Sequence, residues 1–485
     1  MSELLFILYI ILYVCTIIPL LLDNKDPGET FAWIFVITLF PFIGFTLYMV
    51  TGRNWRRNYD RTRKLPQGIA KNLTAIFKPF SDRQEELIKQ LKSTKTVYQD
   101  DMMTLLLRNS HALLTVNNKT VVFHDGQSKF DSLKNDIKNA KKFIHLQYFI
   151  WQSDVLGLEI KRLLIEKARQ GVEVRILYDY SGCFLRFKKR DINEMRKEKI
   201  EIYPFFNYLA NFKLHTLNYR NHRKIAVIDG HIGYTGGMNV GQEYIDGGKK
   251  YESWRDTHMR IEGEAVSILQ AIFAIDWYNT VPKEDIFEER YYTEISDKPS
   301  VKGDLPMQIV TSGYDSPWHS ILQLYFTFIT AAQKNIYIVS PYFIPDESLM
   351  MALKTAAMKG VKVVVLMTGV PDNPIPYWAA YSYFNDLLRA GVRIFQYQAG
   401  FLHAKMVSID GKVSSIGSAN FDIRSLKLNY EINAVCYQQE LTKDIDLQIE
   451  KDLARSKEVT LADVTQGSVI VRLRNSILRL MSGVL

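Results

Sequence analysis

The chain has 485 residues, 47% hydrophobic and 23% charged, which excludes a disordered tail or collagen-like protein and leaves material for two or three domains. Lys and Arg number 61 against 52 Asp and Glu; the net +9 suggests an anionic partner, either nucleic acid or a membrane rich in acidic lipid. Cys15, Cys183 and Cys436 are too few for a disulfide framework and too far apart for a zinc site, so a reducing compartment is the simpler reading.

Leu4 to Leu22 is an uncharged run of 19 residues and Phe31 to Val50 a second of 20. Each can cross about 30 Å of hydrocarbon as a helix. A polar turn with Pro27 and Gly28 separates them, and only Ser2 and Glu3 precede the first, unlike the basic start of a signal peptide. Pro41 and Gly44 leave a re-entrant second segment as the alternative. Residues 1–52 are therefore expected to form a two-helix transmembrane hairpin. One cation, Lys25, lies in the turn, whereas Arg53, Arg56, Arg57, Arg61, Arg63 and Lys64 follow the second run. Basic flanks stay inside, which predicts a multi-pass protein of the cell membrane with its remainder in the cytoplasm. Residues 51–100 hold 12 Lys and Arg against 5 Asp and Glu. The stretch 53–108 thus reads as a basic juxtamembrane segment suited to anionic lipid, and nucleic acid loses ground as a partner.

Beyond it the chain repeats. Gly126-Gln127-Ser128 leads through a helical stretch to the apolar run Phe143 to Ile150, as Ser312-Gly313 leads to Ile336 to Ile344. Gly171 and Gly360 each open a β-branched run. Buried strands alternating with helical segments predict two copies of one α/β domain, at 109–295 and 296–455. Both copies carry His-x-Lys-x4-Asp-x6-Gly-x2-Asn: His222, Lys224, Asp229, Gly236, Asn239, and His403, Lys405, Asp410, Gly417, Asn420, at an offset of 181 residues. Nineteen residues separate Tyr203 from His222 but eight separate Phe395 from His403, so the first copy carries an insertion of eleven. On a strand, His and Lys two apart share a face, and an imidazole beside an ammonium is half a phosphate site. Asp229 and Asp410 complete the motif as candidate catalytic residues, although opposite parity and a neighbouring glycine suit them to fixing a turn.

At these residues the chain resembles the phospholipase D superfamily, in which two such motifs meet across a pseudo-two-fold interface. The resemblance spans roughly 110 to 455, including GGMNVGQEY (236–244) and GSANFDIRSLKLNYE (417–431). With the membrane segments added, the architecture is similar to that of the bacterial cardiolipin synthases. The resemblance implies two α/β sandwich domains and phosphatidyl transfer between two phosphatidylglycerol molecules, giving cardiolipin and glycerol through a phosphohistidine. The alternative is hydrolysis of phospholipid to phosphatidic acid. It also implies His222 as nucleophile and His403 as acid/base, with Asp256 and Glu431 orienting the imidazoles. Lys224, Lys405, Asn239 and Asn420 are expected to hold the phosphate oxygens, with no metal and no cofactor. Glu243 is a weaker polar candidate, Tyr148 and Tyr342 are candidate pocket walls, and His215 a candidate at the entrance. The stretch 456–485 ends in a basic amphipathic pattern of Ile470, Leu473, Ile477, Leu480, Met481 and Val484 interleaved with Arg472, Arg474 and Arg479. It suits either an acidic lipid surface or docking on the second domain.

Overall fold

The structure is a computed structural model that describes residues 2–23, 25, 27–52, 65–92, 97–206, 218–293, 301–313, 316–466 and 468–480. The cations from Arg53 to Lys64, His215, Met481 and Val484 lie outside the described residues.

The N-terminal helices belong to a compact unit of their own. The first apolar run is helical over Ser2–Leu22. The second, expected as one helix, is broken: Pro27–Leu39 ends at Phe40, and Pro41–Leu47 starts anew before a π-helical turn at Tyr48–Gly52. Proline cannot donate the helical hydrogen bond, and its ring collides with the preceding turn. Leu20, Ile37 and Tyr48 form a small core among these helices, and Trp33 meets the Tyr48 ring edge-on. Their outward surface is apolar, with Ile11, Leu22, Phe31, Phe35 and Ile43 each more than half exposed. Among the described residues, no helix is long and apolar enough to cross a membrane.

The larger unit is built from two sheets of the same order. The first runs Asn118–Phe123, His258–Gly263, Ile232–Gly236, Ile225–Ile228, Phe143–Tyr148, Glu173–Asp179, Glu201–Phe205. The second repeats this as Met307–Ser312, Glu431–Cys436, Val413–Gly417, Met406–Ile409, Asn335–Val339, Lys362–Thr368, Arg393–Tyr397. In each, the first five strands pair antiparallel and the last three parallel. The second sheet gains an edge strand at either side, Leu114–Thr115 and Ser456–Val459. Leu114–Thr115, within the span expected for the first domain, therefore belongs to the second sheet.

Strand alternation explains why both motif strands are apolar throughout. Ile225 and Val227 enter a core shared by the two sheets, while Ala226 and Ile228 enter an outer core under the first half's helices. Met406 joins the shared core and Val407 the outer core of the second half. A sheet covered on both faces has no wet side to mark with polar residues. Helix Gln67–Lys92, within the stretch read as a basic juxtamembrane segment, packs on this body: Ile69 lies in the shared core and Ile88 in the second outer core. Gln84 also exchanges two hydrogen bonds with the Leu114 backbone, at 3.0 and 2.7 Å.

Candidate active site

The two halves exchange strands where the motifs begin. Phe401–Leu402 runs parallel to Trp254–Arg255, and Asn221 bridges to Tyr430. The backbone N–H of His403 donates to Arg255 O at 2.7 Å, and that of His222 to Tyr430 O at 2.9 Å. Each histidine thus sits one residue from an acid of the opposite half. His222 Nδ1 donates to Glu431 Oε2 (2.9 Å) and Ser418 O (3.0 Å); His403 Nδ1 donates to Asp256 Oδ2 (2.7 Å). These partners only accept, so Nδ1 carries the hydrogen and Nε2 keeps the lone pair. Both imidazoles line one cavity of about 1000 Å³, together with Asn239, Asn420, Glu243 and Tyr342.

Close approach makes this possible. A Cβ on Gly417 would stand 2.2 Å from Asn433 Oδ1, and one on Gly236, whose φ is +152°, 2.6 Å from His258 Cα. Only glycine lets the motif strand lie flat on its neighbour there before turning Asn239 and Asn420 into the cavity. Between histidine and lysine the chain points the other way. Ala404 enters the shared core, and Arg223 Nη1 donates to both carboxylate oxygens of buried Asp276, both distances 2.8 Å.

Burial dominates the electrostatics. It lowers His222 to about 4 against the pull of Glu431, so this imidazole is neutral at physiological pH. His403 is lowered too, by burial and then by Lys405, with Asp256 opposing. Lys224 falls to about 7 and Lys405 to about 8 by burial, each partly restored by the two acids. Burial pushes Glu431 and Asp256 upward, but their histidines and lysines outweigh it and both stay below the usual carboxylate range. Each ammonium donates to its own histidine's carbonyl, Lys224 to His222 O at 2.6 Å and Lys405 to His403 O. The two imidazoles line the cavity, while Lys224, Lys405, Asp256 and Glu431 stand behind them and act on them electrostatically.

Other expected residues divide. Asp229 and Asp410, counted with the catalytic motif, do not line the cavity. Asp229 accepts from the N–H groups of Lys141, Lys142 and Phe143 (2.7, 2.7 and 2.9 Å), and Asp410 from those of Gln333, Lys334 and Asn335. Both have positive φ, +52° and +53°, and a glycine follows. They pin a turn to the adjoining strand and stand outside proton transfer. Tyr148 is buried in the first outer core, where Lys129 donates to its hydroxyl at 3.2 Å, so it is no pocket wall. Tyr342 does line the cavity and donates to the Asp372 carboxylate at 2.7 Å. Glu243 takes both hydrogen bonds of the Gln152 amide there, and burial raises its pKa. Asn239 is already engaged, accepting from Ile150 N and donating to Tyr244 OH, each at 3.1 Å. The Asn420 Oδ1 is buried and has no partner among the described residues.

Tyr244 and Ser418 escaped the sequence reading. The Tyr244 hydroxyl lies 3.5 Å from His403 Nδ1, and Ser418 adds its carbonyl to His222 and its hydroxyl to Glu431. Tyr244 follows Asn239 by five residues, and Ser418 fills one of the two unspecified positions between Gly417 and Asn420, places on which the motif puts no constraint.

The family described as "Cardiolipin synthase, PLD-like domain" matches residues 133–277 and 325–453, and "Phospholipase_D-nuclease N-terminal" matches 6–53. The fold and the paired motifs are therefore those of the two-domain phospholipase D class. A phosphatidylserine synthase from Haemophilus influenzae shares this fold at TM-score 0.59 and 15% identity, covering 79% of this chain and 100% of that one. A cardiolipin synthase of Oceanobacillus iheyensis is 41% identical over 96% of this chain and 95% of its own length. The major cardiolipin synthase ClsA of Bacillus subtilis is 37% identical over 100% and 99%. The chain belongs to the bacterial cardiolipin synthase family of the phospholipase D superfamily.

Proposed function

We propose that this enzyme is a phosphatidyltransferase that joins two phosphatidylglycerol molecules into cardiolipin and glycerol. The observation carrying the proposal is the pair of crossed histidine–carboxylate contacts on one cavity. His222 Nε2 attacks phosphorus of the first lipid, the P–O bond to glycerol breaks, and protonated His403 gives its proton to the departing oxygen. His403 then removes the proton from a hydroxyl of the second lipid's glycerol, that oxygen attacks phosphorus, and the P–N bond breaks. One diester replaces another, so the intermediate preserves bond energy. Lys224, Lys405, Asn239 and Asn420 hold the phosphoryl oxygens; an arriving phosphate also offsets the Lys405 charge that depresses His403.

The N-terminal helices act as a membrane hairpin, a reading supported by their outward apolar surface. The basic segment after them keeps the catalytic body at the cytoplasmic face, where anionic lipid is concentrated. Purified protein in phosphatidylglycerol vesicles should release cardiolipin and glycerol in equal amounts without added metal. Phosphatidic acid as sole product would assign the site to hydrolysis instead.

A further inference from the structure

A second cavity lies apart from the catalytic one. Helix Val469–Leu480 docks against helix Pro374–Arg389, with the Arg474 guanidinium 4.1 Å from the Trp378 ring centroid and Arg479 5.0 Å from that of Tyr383. Between them is a cavity of about 590 Å³ that shares no lining residue with the catalytic one. Its walls hold Arg389, Arg472, Arg474 and Arg479 against a single acid, Asp463, whose carboxylate already accepts from the N–H and hydroxyl of Thr460 (2.8 and 2.7 Å). Among the described residues, none of the four arginines forms an ion pair. Arg474 is instead steered by aromatic packing and by the Asn475 side-chain oxygen, at 3.1 and 2.9 Å.

Beside this cluster, the outer side of the same helix is apolar and uncovered: Ile470 is 79% exposed, Leu473 59% and Ile477 50%. Their spacing places them on one stripe. A cationic pocket bordered by an apolar stripe matches a molecule with an anionic head and hydrocarbon tails.

We propose that this cavity binds the phosphate headgroup of an anionic phospholipid of the bilayer, with Ile470, Leu473 and Ile477 against its acyl chains. It is a second lipid site, distinct from the one that reacts. Arginine forks suit phosphate oxygens, and each further cation near an anionic leaflet strengthens attachment. Helix Pro374–Arg389 begins two residues after Asp372, which lines the catalytic cavity, and carries Arg389 at its other end. At 16 residues it spans about 24 Å, so the lipid site would set how the catalytic mouth stands over the membrane. The proposal rests on the reading that the enzyme works at a bilayer.

The test uses the full chain with Cys15→Ser and Leu473→Cys, labelled at position 473 with an environment-sensitive dye and reconstituted into phosphatidylcholine vesicles with or without phosphatidic acid. Emission should shift to the blue and rise several-fold only in the anionic vesicles, and brominated acyl chains should quench it. Arg389→Gln with Arg472→Gln, both at exposed positions, should remove the rise while leaving the thermal melt unchanged. An unchanged rise in that double variant overturns the proposal. So does inorganic phosphate producing the same response in neutral vesicles, since the site would then take the free anion. Cardiolipin formation is measured with the same protein preparations in vesicles that contain phosphatidylglycerol. Its absence with the lipid response intact would fail the catalytic reading alone, and synthesis without any lipid response would fail this site alone.

Discussion

In the first half the residue between histidine and lysine is Arg223, paired with Asp276; in the second it is Ala404, packed among side chains of the shared core. His222 has two acceptors on Nδ1, a carboxylate and a carbonyl, whereas His403 has one carboxylate with the Tyr244 hydroxyl at 3.5 Å. Strand order and motif spacing are nonetheless the same. Repetition has kept the backbone that delivers imidazole and ammonium to the cavity, while the surroundings of each imidazole have diverged. The crossed acids make the divergence cooperative, because neither half holds a complete histidine–carboxylate pair by itself. Roles can then be divided between two residues that the shared motif alone would make equal.

The sharpest way to break the comparison is to remove one imidazole at a time. His222→Ala should abolish cardiolipin formation, a loss of ~10⁴-fold or more, because no covalent intermediate forms. His403→Ala should cost ~10²–10⁴-fold with phosphatidylglycerol, the usual range for an acid/base group. A donor with a nitrophenol leaving group needs no proton, so it should restore first-step turnover to the His403 variant and not to the His222 variant. Equal behaviour of the two with that donor sinks the division of labour.

The acids come next. Glu431→Gln and Asp256→Asn should each lower kcat by ~10²–10⁴-fold by removing the anion that fixes tautomer and stabilises imidazolium. Crossing makes a specific claim about pairs. Glu431→Gln should add nothing to His222→Ala, though the two residues are 209 apart in sequence, and should add a further loss to His403→Ala. The opposite pattern of coupling in kcat would show that each acid serves its own half.

Much of this was legible before the structure. The doubled motif and the apolar runs around it point to two α/β domains because strands covered on both faces have only one composition to choose from. Asp256 and Glu431 were reached through family resemblance, but their exchange between halves was not legible, since spacing along a chain does not say which half a strand end will meet. Pro41 was a visible warning against one continuous second helix. The docking of helix Gln67–Lys92 on the body was not legible for a physical reason: its charged residues mark the wet face, and the buried face is carried by a few scattered apolar residues such as Ile69, Phe77 and Ile88. Tyr244 lies beyond the motif and Ser418 at an unspecified position inside it, outside the regular strands where periodicity operates.

A stability experiment sharpens the contrast between the intervening residues. Arg223→Ala leaves the buried Asp276 charge with only the Gln147 and Asn221 amides and no cation, and should cost about 3–5 kcal/mol, measured by denaturant unfolding of the detergent-solubilised protein. Ala404→Gly removes one methyl from a packed site and should cost about 1 kcal/mol. Similar costs for both would mean that Arg223 acts as packing and its charge is incidental.

The smallest effect tests the lysines by pH. Burial has brought Lys224 to about 7 and Lys405 to about 8, both below the ordinary 10.5. Below these values both are ammonium and can grip phosphate; as pH rises through them the free enzyme loses each charge in turn. kcat/KM should therefore fall between about pH 7 and 8, by roughly 10-fold for each charge-assisted hydrogen bond lost, through KM more than kcat. His222 adds no break there, since it is already neutral above about 4. The two halves should differ in their coupling. Lys405 is among the charges that depress Lys224, so Lys405→Met should lower the plateau and also move the remaining break upward. A break that stays at the same pH would mean that burial alone depresses Lys224 and that the two ammoniums do not share one field.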